Sequence, residues 1–220
     1  YWGPQEQTAI IREELEHQFH VMTNWLLLGQ LDFDFIAESL LPSQCLVASA
    51  PLQVGEMKYD VLVVPGCHTL RTSTVERLEG FQRQGGHVIF AGEPAKLVDA
   101  IPSERVRSLA TGCETIPFTR TRLLDALEPY RDVEFRKADR TRADDLLYQL
   151  REDGDNRWLF VCQAYDRQET DIVDEIFNRE PDLMRTIQIK LRGTWNPVIY
   201  DTMSGEINAC PAIALGEQTH

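Results

Sequence analysis

The stretch from Tyr59 to Pro94, YDVLVVPGCHTLRTSTVERLEGFQRQGGHVIFAGEP, constrains this chain more than any other. Residues 60–64 form a short apolar run, the pattern of a strand buried on both faces of a parallel sheet. Pro65 and Gly66 end it. Ser73 offers an N-cap, and Glu76 three residues on completes a capping box for a following helix. Val75, Leu78 and Phe81 recur at helical spacing on one face. Gly85 and Gly86 then supply positive φ, and residues 87–91 make a second buried strand. A β-α-β unit of this length crosses over right-handedly, so its two strands should lie parallel in one sheet.

The flanks extend this α/β grammar. Residues 5–29 read as a deeply packed helix, with Leu15, Phe19, Met22 and Leu26 at near-helical spacing and Gly29 as its stop. Residues 31–41 begin by alternating and turn into a short helix that Pro42 breaks. Residues 46–54 are a weak strand or extended loop closed by Gly55. Pro94 sits where a first helical turn tolerates proline, and residues 96–100 continue that turn. Ser103 caps a short helix to Ala110, and residues 120–127 form another, ended by Pro129. Residues 133–136 are a short strand.

Near residues 138–143 the grammar changes. Residues 146–150 and 157–162 flank the turn-rich Glu152–Asn156 loop as an antiparallel hairpin. Residues 166–182 are acidic, with a short helix expected around Ile172 and Phe177. Residues 186–191 alternate as a strand, and 198–201 with 206–210 make a second hairpin. The expectation is an α/β domain over 1–137 and a β-rich segment over 138–220. With about four strands, that segment is expected to be an incomplete β-sandwich, because a sandwich usually needs around seven.

Composition narrows the function classes. The 220 residues carry a formal net charge of −13, which opposes a nucleic-acid backbone and an anionic membrane surface alike. No run is long enough to span a bilayer and no signal peptide is visible. Cys45, Cys67, Cys113, Cys162 and Cys210 are odd in number, lie far apart and contain no CxxC, so reduced thiols and a cytoplasmic location are expected. The chain opens on Tyr1 and is expected to be a piece of a longer polypeptide or one that has lost an N-terminal tag. A strand expected before the first helix of such a sheet is absent, so pairing into a homo-oligomer is a further expectation.

From residues 60 to 94 the chain resembles the class I glutamine amidotransferase-like, flavodoxin-like fold. Such proteins carry a strand ending in Pro-Gly-Gly, a helix, a Gly-Gly, and a strand leading to a nucleophile elbow of the form Cys-His-Gly-Pro. Here the strand ends in Pro65-Gly66-Cys67, and Ala91-Gly92-Glu93-Pro94 holds the elbow's place. Ala91 stands where the nucleophile would be, which implies that amidotransferase chemistry is lost. A degenerate domain of this kind follows the catalytic barrel of some glycoside hydrolases, including family 42 β-galactosidases and α-L-rhamnosidase-like family 106 enzymes. LDFDFI at 31–36, LQVG at 52–55, RWLFVC at 157–162 and IYDTMSGE at 199–206 are similar to the latter. The resemblance implies a non-catalytic portion of a carbohydrate-degrading enzyme, whose partner is the catalytic barrel of the parent chain.

The residues themselves leave alternatives open. Cys67 and His68 sit in a loop at a strand's carboxyl end, where open α/β sheets bind ligands. A cysteine hydrolase would need a base within reach of Cys67, yet sequence neighbours in extended chain point apart. Asp32 and Asp34 mimic a metal motif without further ligands nearby, and read as polar positions alternating with Phe33 and Phe35. Gly85, Gly86 and Gly92 are in the wrong order for a dinucleotide fingerprint. Neither catalytic residues nor a metal or cofactor is therefore expected. If the β-rich part is a carbohydrate-binding module, Trp195, beside Gly193 and Pro197, is the candidate stacking platform, whereas Trp158 reads as core.

Overall fold

The structure, a computed structural model, describes residues 5–163 and 186–220. It is mixed α/β, with a three-stranded parallel sheet and several antiparallel sheets. Two compact units emerge from its contacts. The first holds the described residues up to Trp25 together with Phe33–Tyr130, and the second holds Leu26–Asp32 with the described residues from Arg131 onward. The strand at Val133–Lys137 lies in the second unit, where it pairs with the strand at Ile187–Arg192.

The first unit contains α1 (Gln5–Leu28) as far as Trp25, then α2 (Leu41–Gln44), β1 (Leu52–Val54), β2 (Met57–Tyr59), β3 (Val61–Pro65), β4 (Thr69–Leu70) and α3 (Thr72–Arg83). It continues with β5 (His87–Ala91), β6 (Leu97–Val98), β7 (Ile101–Pro102), α4 (Arg105–Ala110), β8 (Glu114–Ile116) and α5 (Arg120–Leu127). The β3-α3-β5 crossover forms as its sequence requires: Val61 pairs with His87 and Val64 with Phe90, in parallel. β8 joins β5 on the other side, also parallel, giving the order β3-β5-β8. Val75, Leu78 and Phe81 of α3 are buried against Val88 and Phe90, and Leu52 and Val106 complete that core. Gly85 takes φ +86°, while Gly86 is required for space, since a Cβ there would fall 2.2 Å from the Phe81 ring.

Four local expectations are corrected. Ser73 does not cap α3: the N-cap is Arg71, and no side chain of its own turn bonds there. Instead the Asp99 carboxylate accepts the Thr72 backbone N–H at 3.1 Å and its hydroxyl at 2.5 Å. Residues 94–100 are not helical either. Asp99 and Ala100 both adopt positive φ, 50° and 62°, and turn β6 back on β7 as a tight hairpin. Pro42 opens α2 rather than ending a helix, consistent with its fixed φ and missing N–H. The long helix is also less deeply packed than its composition suggests, with Met22 buried but Ile10 and Phe19 exposed. Phe19 instead stacks on Phe35, 4.8 Å between ring centroids.

The second unit contains β9 (Val133–Lys137), β10 (Leu146–Asp153), β11 (Asn156–Gln163), β12 (Ile187–Arg192), β13 (Val198–Tyr200), β14 (Ile207–Ala209), β15 (Ala214–Leu215) and β16 (Gln218–Thr219). They form a four-stranded sheet, β15-β16-β12-β9, and two hairpins, β10-β11 and β13-β14. Both expected hairpins are present, and the described strands exceed the four expected. β15 and β16 were invisible because two-residue strands leave no alternation to read. The inner face of β10-β11, with Tyr148, Leu150, Leu159 and Val161, packs on Val133, Phe135, Ile187 and Leu191. The short helix expected within 166–182 lies outside the described residues.

Two buried polar devices organise this unit. Gln30, fully buried, accepts the Phe135 N–H on its Oε1 and donates from Nε2 to the Ala143 carbonyl, both at 2.8 Å. Glu134 points to the other side of β9 and takes three cations: Arg136 at 2.7 Å, Arg142 at 3.1 Å and Lys190 at 3.3 Å.

Candidate functional site at the carboxyl edge of the parallel sheet

The loops after β3, β5 and β8 meet where an open α/β sheet would hold a ligand. The Gly66 N–H donates to the Ala91 carbonyl and the Gly92 N–H to the Ile116 carbonyl, each at 2.9 Å. Gly92 adopts φ +104°, and a Cβ there would lie 3.6 Å from Gly66 and from Phe118. Ala91 is a buried methyl at the end of β5. The chain leaves it toward the β6-β7 hairpin, so the strand-to-helix corner on which an elbow nucleophile sits is not built.

The same edge is occupied from above by α1. A Cβ on Gly66 would come within 3.4 Å of Gln18 Oε1. Trp25, two turns further along α1, packs on Phe118 just after β8, with ring centroids 5.0 Å apart. Gln18 Nε2 donates to Glu14, while its buried Oε1 has no hydrogen-bond partner among the described residues. In addition, the strand order β3-β5-β8 advances in one direction only. The ligand crevice of such sheets opens where strand order reverses, and these three strands contain no reversal.

Cys67 and His68 lie between β3 and β4, as the sequence suggests for a loop. Cys67 is half-buried beside the core, and His68 is exposed. Burial pushes the Cys67 thiol up to about 11, and the Glu38 carboxylate adds to the rise. A thiol in that environment is protonated at neutral pH, the opposite of an activated nucleophile. His68 uses its carbonyl to accept the Leu97 N–H, and no hydrogen bond joins its ring to Cys67 among the described residues. Asp34 accepts the Tyr59 hydroxyl at 2.8 Å. No cluster of three or more metal-ligating side chains occurs among the described residues.

Trp195 is held rather than displayed. Its indole N–H donates to the Arg192 carbonyl at 2.7 Å, and the Arg157 guanidinium covers the ring at 4.8 Å. Trp158, read as core, is instead 48% exposed, because Leu159 and Val161 take the inward positions of β11. Its ring meets that of Tyr200 at 5.4 Å.

Sequence reasoning missed a polar cluster at the opposite, amino edge of the sheet. His87 opens β5 and Glu114 opens β8. His87 Nδ1 lies 2.7 Å from the Tyr130 hydroxyl, and its Nε2 lies 2.9 Å from Glu114. Burial raises the Tyr130 phenol, and Asp60 and Glu114 raise it further, so it stays protonated. The only trace in the sequence is a polar residue before each apolar run. A groove of about 360 Å³ also lies on α3, between Leu46–Ala48 and Arg77, Gly80 and Arg83, and none of the expected site residues lines it. In comparisons with known proteins, the chain matches no family model, no curated protein and no solved structure. Among the described residues no helix is long and apolar enough to cross a membrane.

Proposed function

We propose that this chain is a non-catalytic, accessory portion of a large carbohydrate-degrading glycoside hydrolase of the α-L-rhamnosidase-like kind. On this reading the first unit is a flavodoxin-like, amidotransferase-like domain that kept its β-α-β frame and lost its reaction, and the second belongs to a β-sandwich. The observation that carries it is the state of the carboxyl edge. A buried alanine stands at the corner position, and Gln18 and Trp25 of α1 cover the strand ends. Such an edge supports a packing role against a catalytic barrel of the parent polypeptide. The free cysteines support a reducing, cytoplasmic setting.

The test is an assay of the isolated chain on aryl α-L-rhamnosides and other aryl glycosides. No turnover is expected, whereas a longer parent polypeptide that includes an upstream barrel should hydrolyse one of them. Turnover by the isolated chain refutes the proposal. The alternative of a cysteine hydrolase is tested by alkylation at neutral pH. Cys67 should react at least about tenfold more slowly than exposed Cys162, because only the thiolate reacts. Selective labelling of Cys67 would instead favour that alternative.

A further inference from the structure

We infer that Tyr130 is a base-assisted acyl-acceptor site, at which the phenol oxygen attacks an activated acyl donor such as an aryl ester while His87, oriented by Glu114, takes the phenol proton. The three groups come from three elements of the first unit. His87 opens β5 and Glu114 opens its parallel neighbour β8, so both stand at the amino edge of the sheet. Tyr130 closes the 3₁₀ turn Glu128–Tyr130 that follows α5. Its ring and that of His87 lie 5.8 Å apart between centroids.

The line of contacts has a direction. His87 Nδ1 lies 2.7 Å from the Tyr130 hydroxyl, and His87 Nε2 lies 2.9 Å from Glu114 Oε2. An ionised carboxylate only accepts, so a neutral imidazole places its one N–H on Nε2 and donates it to Glu114. Nδ1 is then an acceptor, and the Tyr130 hydroxyl donates to it. A hydroxyl within reach of a base, with the base held by a third group, is the arrangement that activates an oxygen nucleophile. Burial and the carboxylates of Asp60 and Glu114 keep the phenol protonated at rest. Its proton must therefore leave as the new bond forms, and Nδ1 is placed to receive it. In the step, the bond from the Tyr130 oxygen to the acyl carbon forms and the bond from that carbon to the aryl oxygen breaks. The aryloxide departs, and the proton passes through His87 to solvent. Small reagents can reach the cluster, since the His87 and Glu114 side chains are 36% and 40% exposed.

The experiment treats the whole chain with 4-nitrophenyl acetate at mildly alkaline pH and follows acetylation of each tyrosine by peptide mass spectrometry. Tyr130 should be acetylated at least about a hundredfold faster than the exposed Tyr200, the lower end of what a positioned base supplies. His87→Gln should remove that advantage, and Tyr130→Phe should remove the label. Glu114 acts through His87 as a positioning residue. Glu114→Ala should slow Tyr130 acetylation, and nitrogen-15 spectra should show His87 losing its single Nε2–H tautomer, which a merely structural role would leave unchanged. Far-UV circular dichroism confirms that each variant is folded, and the wild-type tautomer is read without any substitution. Equal acetylation of Tyr130 and Tyr200 overturns the inference. So does a folded His87→Gln chain that keeps the wild-type rate, or a neutral wild-type His87 that carries its proton on Nδ1.

Discussion

Replacing Glu134 by glutamine should remove a pH-dependent stabilisation of the second unit. Glu134 is 6% exposed on β9. Burial raises its carboxyl, but hydrogen bonds from Arg136 and Arg142, the Arg136 charge and Lys190 outweigh that and bring it from its ordinary 4.5 to about 2. At about 1.4 kcal/mol per pH unit, that difference corresponds to about 3 kcal/mol. The folded value is the lower one. The stabilisation is therefore complete well above pH 4.5 and is lost as pH falls from about 5 through about 2. Glu134→Gln should thus cost about 3 kcal/mol at pH 7, within the range for removing one partner from a buried ion cluster. The cost should shrink toward zero as the solution approaches pH 2. The measurement is amide hydrogen exchange in Val133–Lys137 and Ile187–Arg192, converted to opening free energies over a pH series. A wild-type-to-variant difference that stays constant from pH 7 to pH 3 would show that Glu134 is not ionised by its neighbours, and the reasoning would fail.

Three further outcomes follow from single contacts. Gly86→Ala should destabilise the first unit by about 1–3 kcal/mol in thermal unfolding, because its methyl would meet the buried Phe81 ring. Gln30→Leu should cost the second unit about 2–4 kcal/mol in chemical unfolding, since it strands the Phe135 N–H and Ala143 carbonyl in the interior. Asp99→Ala should speed hydrogen exchange through the first turn of α3, while Ser73→Ala should leave it unchanged. The reverse result would restore the capping box that the sequence suggests.

What was legible in the sequence follows from range. The β3-α3-β5 unit was readable because its signals are local: apolar runs for the strands, three-residue spacing for the helix face, and a glycine pair at its end. Its cap was not, because the carboxylate that binds Thr72 arrives from Asp99, across a hairpin that two positive-φ residues make. The apolar run of β11 marks a strand but does not say which of its faces turns inward. Trp158 and Leu159 are both apolar, so neighbouring residues compete for the core and only the packing of β9 and β12 decides between them. Gln30 illustrates the limit. Nothing near it in sequence signals a buried amide, because both of its partners lie more than a hundred residues away.

The candidate site shows how much of a ligand-binding edge local sequence can specify. Pro65, Gly66 and Gly92 keep the backbone of two loops within hydrogen-bond reach, which is what a ligand-binding edge needs. The sequence states that much, together with the alanine at the corner. It does not state that α1 lies over those loops, since Gln18 and Trp25 reach Gly66 and Phe118 from far earlier in the chain. The closure has a consequence for Gln18. Its Oε1 is buried without a donor among the described residues, and an unsatisfied buried acceptor costs about 1–3 kcal/mol. Removing the amide with Gln18→Leu should therefore leave the first unit's thermal stability equal to or above wild type. A loss of more than about 1 kcal/mol would mean that this oxygen has a partner and that α1 is held over the edge by a hydrogen bond, not by the packing of Trp25 on Phe118.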